Sequence, residues 1–571
     1  MKTRYIVPLL LFCLFACMAC EDDKTEMPRL FRPSFIASSC FAEDNTITLA
    51  WRTSGEATSY TVELSQDATF QSEKLETQTV EHGKCTFTNL RYETKFYARV
   101  RANNESLAIT SNWTEMGSSI STLSRTIPKI LYAVEGSRIS ETSVEIKWVV
   151  SEKNPVDGLA IWEEGTTEER QISLENASAG QYTITGLTPR TTYYVALTNS
   201  AAPEGAEKYN QQRFTTAGMP ADAVVVEDGV DLMDKIKAGM TDASKQALVF
   251  QLKNGVDYYL TAGGEVAAKT GDIKLTKSIA LLANPGERPT LYIREGCFNV
   301  KPESGNMPDI EYFVVDNVNI KETWTDSKPS KGSKTRLLNI GKHDAGTDFT
   351  IDRFEITNSD IVLPSAVLMM SDASEGVTTI NHIRIDNCLV SGINTSAVTK
   401  QFGFIHAINK GSNVWNDVSV TNSTFYEFYI SPGVFGAPTA NVPIAAGNKV
   451  VISNCTFYNW GSNKDGKNTY RAVGNFSKLT APLNLSVNNC VFGSSESKVL
   501  DAGGINLDSK GNYCTSDFEK MSDAGLTLIS LDTDDASLFR NIEENDFTVI
   551  DAESVIYKSE YGDPRWITVL D

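Results

Sequence analysis

The sequence predicts an all-β protein in which two β-sandwich modules precede a stack of parallel β-coils. Two observations carry that expectation. Between residues 29 and 217, short runs alternate apolar and polar residues, as half-buried antiparallel strands do. Further on, one phrase recurs: Ile385-Asp-Asn-Cys-Leu-Val390, Val420-Thr-Asn-Ser-Thr-Phe425, Ile452-Ser-Asn-Cys-Thr-Phe457 and Val487-Asn-Asn-Cys-Val-Phe492. Its small residue falls at 388, 423, 455 and 490, in steps of 35, 32 and 35, and such spacing means stacked coils. A stack of coils has a long side face, which suits a chain-like ligand.

A chain of 571 residues holds several domains, and a hydrophobic share of 41% lets each bury a core. The formal charge is 52 − 72 = −20. That balance argues against nucleic acid as a partner, because phosphate binding needs positive patches.

Residues 1–19 read as a signal peptide. Lys2 and Arg4 precede an apolar run, Tyr5 to Ala19, that ends in Ala16-Cys-Met-Ala-Cys20 followed by Glu21-Asp-Asp23. This resembles a bacterial lipoprotein signal, whose terminal Cys is acylated; Cys20 is the implied attachment site, and 20–28 a tether. Cys17 stands where that family has Leu, and an ordinary secretory signal is the alternative. The acidic tripeptide resembles the export tag of surface lipoproteins in Bacteroidetes-type bacteria, which implies an outer-membrane, cell-surface location. No later stretch reaches the ~20 apolar residues of a membrane helix. Seven cysteines follow Cys20 at 40, 85, 297, 388, 455, 490 and 514, without a CxxC pair. They read as free buried thiols, with a Cys40–Cys85 bridge as the alternative.

The sandwiches span 29–124 and 125–217. Thr46-Ile-Thr-Leu-Ala-Trp51, Tyr60-Thr-Val-Glu-Leu64 and Phe96-Tyr-Ala-Arg-Val-Arg101 are strands of the first; Val144-Glu-Ile-Lys-Trp148, Gly158-Leu-Ala-Ile-Trp162 and Tyr193-Tyr-Val-Ala-Leu197 repeat their order. Leu187-Thr-Pro-Arg-Thr-Thr-Tyr193 resembles the Leu-x-Pro-x-Thr-x-Tyr corner of fibronectin type III domains, whose Tyr hydroxyl ties down a loop. Leu90-Arg-Tyr-Glu-Thr-Lys-Phe96 keeps Leu and Thr but loses Pro and the hydroxyl. Trp51 and Trp148 fall where that family has a core Trp.

Residues 218–571 form the solenoid. Asp231-Leu-Met-Asp-Lys-Ile-Lys-Ala-Gly239 predicts a short amphipathic helix with a Gly stop, which hides the exposed end of the first coil. With the runs at 247–259 and 272–284, it resembles the start of right-handed parallel β-helices of the pectin-lyase type. Phe313-Val-Val-Asp-Asn-Val-Asn-Ile320 and Phe354-Glu-Ile-Thr-Asn-Ser-Asp-Ile361 are degenerate copies of the phrase. Arg336–Ile340, Phe404–Ile408 and Tyr470–Val473 supply a second strand per coil, so the reading is about six coils with at least two strands each. Asn387, Asn422, Asn454 and Asn489 suit a tight turn and an amide ladder rather than catalysis. Tyr561-Gly-Asp-Pro-Arg-Trp566 resembles the C-terminal end of β-helix lipoproteins encoded in polysaccharide-utilisation loci of gut Bacteroidetes.

The chemistry is sparse. A Ca²⁺-dependent lyase needs acids to hold the ion and an Arg or Lys base; Asp316, Asp352, Asp360, Asp372 and Asp386, with Arg353 and Arg384, are candidates that read more naturally as turn caps. Asp534-Asp535 is the one Asp-Asp pair in the solenoid region, and His343, His382 and His406 stand alone. Glycan binding draws on aromatic faces and cations in the loops between phrases: Trp415, Trp460, Tyr470, Arg471 and Lys410 are the candidate glycan-binding residues. The resemblance implies a surface lipoprotein that binds a polysaccharide, with pectin-type acidic glycan as first guess, and a glycan-uptake complex as a partner. The fibronectin type III modules would act as a spacer. A polysaccharide lyase or glycoside hydrolase on the same β-helix and a non-catalytic adhesin are the alternatives; no cofactor is expected, Ca²⁺ entering only with the lyase.

The anchor is testable. Cys20→Ala should release the protein from membranes on fractionation; unchanged membrane association would refute lipidation.

Overall fold

The computed structural model describes residues 29–72, 74–260, 271–294, 296–322, 336–363, 367–372, 375–393, 403–407, 412–428, 433–436, 449–460, 471–476, 483–495, 497–501, 503, 505–519 and 525–570. Cys20, Lys410 and Tyr470 lie outside the described residues. The chain forms two compact units, one of residues up to Thr126 with Asn199–Lys208, the other of Ile127–Thr198 with Tyr209 onward.

The first unit holds the first sandwich. Thr46–Arg52 pairs antiparallel with Phe41–Glu43 and Lys84–Phe87, and Ser59–Ser65 pairs with Glu76–Val80 and Lys95–Asn104. The inward residues of both sheets, Trp51 among them, bury one core. Cys40 and Cys85 are both free thiols, and burial pushes the Cys85 thiol up to about 12.

In the second unit, the second sandwich repeats this plan. Gly158–Glu163 pairs with Glu169–Ser173 and Thr192–Thr198, and Ser143–Lys147 with Gln181–Thr185. The expected corner is present: the Thr188 N–H donates to the Tyr193 hydroxyl at 3.1 Å. Trp148 is buried in the core.

The rest of this unit is a parallel β-helix of three sheets, with ten strands in the first, ten in the second and eight in the third among the described residues. That exceeds the roughly six coils expected, and three sheets accord with at least two strands per coil. Added first-sheet strands lie before Asp309 and at Ile505–Lys510, where no copy of the phrase marks them.

Each phrase is the corner between the first and second sheets. Strands end at Asp316, Thr357, Asp386, Thr421, Ser453 and Asn488, and after a two-residue turn the next begin at Asn319, Asp360, Leu389, Thr424, Thr456 and Val491. The first turn residue is always Asn: Asn317, Asn358, Asn387, Asn422, Asn454 and Asn489 have φ of 58, 52, 53, 50, 52 and 57°. This left-handed conformation disfavours most side chains, and Asn tolerates it because its amide bonds locally. The amides form the expected ladder: Asn387 Nδ2 donates to Asn358 Oδ1 at 2.8 Å, and Asn454 Nδ2 to Asn422 Oδ1 at 3.3 Å.

The second turn residue points inward, and it is small at every corner but the first, where Val318 fills the place. Cys388, Ser423, Cys455 and Cys490 are fully buried, and the Ser423 hydroxyl donates to Thr421 O at 2.7 Å. Behind them run columns of identical register. Leu281, Val315, Ile356, Ile385, Val420, Ile452 and Val487 stack in the first sheet. Phe425, Phe457 and Phe492 stack in the second, with ring centroids 5.1 and 5.2 Å apart. Each such side chain contributes roughly 1.5–3 kcal/mol.

Both ends are covered. Helix Leu232–Thr241 turns Leu232, Met233, Ile236 and Met240 onto the first coil, with Asp231 accepting from the Asp234 N–H. Gly239 is not its stop; it sits inside the helix, where a Cβ would meet Leu248 Cδ2 at 2.6 Å. At the other end, Leu538, Phe539, Phe547, Ile556 and Tyr557 pack over Tyr426, Tyr458 and Tyr513 on the outer face of the second sheet. The Tyr561–Trp566 segment closes this cover: Thr424 Oγ1 donates to the buried Asp563 at 2.7 Å, Arg565 Nη2 to Asn387 Oδ1 at 3.1 Å and Trp566 Nε1 to Thr424 Oγ1 at 2.7 Å.

The turn rule makes a test. Asn422→Ala should destabilise the β-helix by about 1–3 kcal/mol in urea unfolding, since it adds backbone strain and removes an amide bond. Asn422→Gly, which keeps the φ, should cost less.

Candidate functional site

The tryptophans proposed as loop-borne stacking platforms are core residues. Trp415 lies on Ser412–Thr421 in register with Ile380 and is 2% exposed; Trp460 is 1% exposed, with Nε1 donating to Lys498 O at 2.8 Å and its ring against Phe457, Phe492 and Phe518. Strand parity turns Trp415 inward, and the corner at Asn459 (φ 48°) folds Trp460 under the chain. Neither offers a face to a sugar. Arg471 opens a third-sheet strand and is committed to Asp501, with Nε 2.7 Å from Oδ2, while Lys498 Nζ lies 3.7 Å from Asp501 Oδ1. The third sheet also carries Asn339, whose Nδ2 donates to Asn299 Oδ1 at 2.7 Å.

The histidines and the Asp pair have structural partners. His343 is buried with Nδ1 2.6 Å from Thr347 O and Nε2 2.7 Å from Thr378 Oγ1. His406 is buried, which drives its pKa down to about 4, and its Nδ1 accepts from the Gly403 N–H at 3.0 Å. His382 is exposed, 3.5 Å from Asp417. Asp534 caps the short helix Asp535–Leu538, and burial raises Asp535 to about 6 while it accepts from the Ser494 N–H at 2.8 Å. Among the described residues, no three His, Cys, Asp or Glu side chains converge on a metal-sized point.

What the structure does bring together is Asp316, Asp386, Arg353 and Arg384, on the outer face of the first sheet beside the second sandwich. Asp316 and Asp386 occupy the same corner position two coils apart. Each is held by the next coil: Thr357 Oγ1 and Asn358 Nδ2 donate to Asp316 Oδ1 at 2.7 and 2.8 Å, and Thr421 Oγ1 and Asn422 Nδ2 to Asp386 Oδ1 at the same distances. The other oxygen of each faces an arginine of the sandwich, Arg190 at 3.5 Å from Asp316 and Arg213 at 3.0 Å from Asp386. Arg384 adds a contact to Asp386 at 3.0 Å, and Arg213 also grips Glu164 at 2.7 and 3.1 Å.

Burial alone would raise the Asp386 carboxyl; Arg213 and Arg384 outweigh it and hold the pKa below the usual value. Glu164 is depressed too, its partial burial outweighed by Arg213 and Arg384. Backbone seals the contact, for a Cβ on Gly136 would meet Gly286 N at 2.5 Å. Lys129 pairs with Glu560 of the C-terminal cover. The second sandwich is thus docked on the β-helix instead of acting as a free spacer.

Two cavities flank this contact. One of about 200 Å³ reaches Arg190, Arg213, Arg288 and the corner asparagines Asn317, Asn358 and Asn387. The other, of about 260 Å³, is walled by Arg190, Arg353, Thr192, Thr215, Thr357 and Glu355. Arg190, Arg213 and Glu164 carried no signal in the sequence: their partners lie far along the chain, and only the repeated Asp-Asn corner hinted at Asp316 and Asp386.

Comparison with known proteins matches the fibronectin type III domain to residues 33–115, a module type often used for adhesion or binding. The match falls on the copy with the more degenerate corner. A domain of unknown function, DUF5123, matches residues 450–566, the last coils and the C-terminal cover through Trp566. No curated protein matches. Among solved structures, the chicken CNTN1 FN1-FN3 domains are 15% identical, covering 34% of this chain and 69% of that one with a TM-score of 0.15. A two fibronectin type III domain segment of chicken tenascin is 16% identical, covering 33% and 100% with a TM-score of 0.19.

The docking contact has a pH signature. A carboxylate with a depressed folded pKa contributes stability above its unfolded pKa, about 4, and loses it as pH falls through the folded value. Asp386→Asn should cost about 3 kcal/mol at neutral pH by leaving Arg213 short of a partner, and thermal unfolding of variant and wild type should converge below about pH 4. A constant gap would refute the assignment.

Proposed function

We propose that the protein is a cell-surface lipoprotein that binds an acidic polysaccharide through charge and hydrogen bonds, not through stacked tryptophans. One observation carries the reading. Five segments that adjoin third-sheet strands in sequence, 323–335, 394–402, 408–411, 461–470 and 477–482, hold Lys328, Lys331, Lys334, Lys400, Lys410, Lys464, Lys467 and Lys478 against Asp326 and Asp465, in a chain of formal charge −20. Two of these segments lead into strands that begin with Arg336 and Arg471. A cationic strip on an anionic protein draws a polyanion and orients it, while the remaining surface repels it.

Repetition supports the same reading. Coils repeat at the ~4.8 Å spacing of paired strands, so cations recurring along a sheet edge meet a repeating ligand at several points. Avidity then makes up for weak single contacts. Pectin-type glycan fits because its uronate carboxylates recur along the chain. The lipid anchor at Cys20 and an outer-membrane location with a glycan-uptake partner belong to the same proposal.

Affinity electrophoresis tests it. The protein should be retarded in gels containing polygalacturonate and not in neutral galactan, and a variant with Lys328, Lys331 and Lys334 changed to Gln should be retarded less. Equal mobility in both gels would overturn the proposal. Chelator-sensitive release of unsaturated uronate would replace binding with the lyase.

A further inference from the structure

We infer that the hollow between the second sandwich and the first sheet is a binding subsite for one acidic sugar residue, a hexuronate, with Arg190 and Arg353 taking the carboxylate and Thr192, Thr215 and Thr357 meeting the ring hydroxyls. The sugar class rests on the acidic-glycan reading; the site rests on its own geometry.

The arginines around the docking contact divide into two kinds. Arg213 is fully committed, with Glu164 at 2.7 and 3.1 Å and Asp386 at 3.0 Å. Arg190 and Arg353 are not: Arg190 approaches Asp316 only to 3.5 Å and Arg353 approaches Glu355 only to 3.5 Å, beyond the 2.7–3.2 Å of a good N–H···O bond. Each guanidinium has five N–H donors in a planar fork that matches a carboxylate.

These donors are placed. The Arg190 side chain is 32% and that of Arg353 44% exposed, and both wall the cavity of about 260 Å³. Arg353 lies over the Tyr312 ring, 5.4 Å from its centroid, which limits its swing. Arg190 projects from the corner of the second sandwich, with backbone φ of 53° and its N–H tied to Ala217 O at 3.0 Å. The first sandwich has Glu93 at the equivalent corner position, also in the left-handed region, so the corner sets the geometry and Arg190 adds the charge.

The rest of the wall suits a sugar. The Thr192 and Thr215 hydroxyls bond each other at 2.9 Å, which leaves one O–H to donate and lone pairs to accept. Thr357 donates to Asp316 and keeps acceptor capacity. Glu355 can accept from a ring hydroxyl. The volume lies just under the usual ligand-pocket range of about 300–1,000 Å³, room for one ring and not for an extended chain. Because the walls come from two modules, docking of the sandwich builds the site.

Isothermal titration of the full chain with D-galacturonate, D-galactose and sulfate at one ionic strength tests this. Galacturonate should bind, with galactose and sulfate weaker by about tenfold or more, the share of one charge-assisted contact or of the hydroxyl contacts. Arg353→Gln and Arg190→Gln should each weaken galacturonate by about tenfold with unfolding temperature unchanged, while Arg540→Gln on the C-terminal cover should leave binding intact. Equal binding of sulfate or galactose, no galacturonate heat, or indifference to both substitutions would overturn the subsite. Retention of polygalacturonate by a chain that binds no galacturonate would sink the subsite alone. Galacturonate binding without retardation in the polymer gel would sink the third-sheet reading alone.

Discussion

The left-handed asparagine corner is the constraint on which the rest of the molecule depends. It turns the chain from the first sheet to the second in two residues, six times in succession from Asn317 to Asn489. A turn this short leaves no slack, so each coil lands in register on the last, and the columns of Ile, Val and Phe behind it follow. The residue after Asn is turned into the stack, and from Ser359 on it is small. The residue before it faces outward, and there Asp316 and Asp386 meet the second sandwich. One backbone rule thus shapes the core, the amide ladder and the docking contact.

Much of this was legible in the sequence, because αL turns, inward small residues and repeat spacing leave local marks. The Tyr193 corner was legible for the same reason. What was not legible is non-local. Arg213 and Asp386 are neighbours only after both modules have folded and docked. The coils before Asp309 leave weaker marks, the runs at 247–259 and 272–284, because their corners, such as the one between Leu282 and Thr290, are longer and lack the Asn phrase. Trp415 and Trp460 were misread because nearby Gly and Asn suggest a loop, while the parity of a strand and the turn at Asn459 bury both indoles.

Burial of those indoles leaves charge and hydrogen bonds to carry the proposed glycan recognition. Aromatic stacking is tolerant of sugar charge; guanidinium and ammonium groups are not. In the proposal, lysines that adjoin third-sheet strands in sequence and the loosely paired arginines beside the second sandwich supply the same chemistry. The tight ion pairs at Asp386 serve docking, and the looser ones at Arg190 and Arg353 leave donors over. A strong net negative charge over the whole chain sharpens the contrast that local cations would offer a polyanion.

The most direct test of charge-led recognition is the salt dependence of polygalacturonate affinity. Between about 0.01 and 1 M salt the screening length falls from about 30 to 3 Å. Recognition by lysine and arginine predicts that affinity falls steadily across that range. Affinity that stays flat, or strengthens as salt rises, would contradict it and return the binding role to apolar contacts.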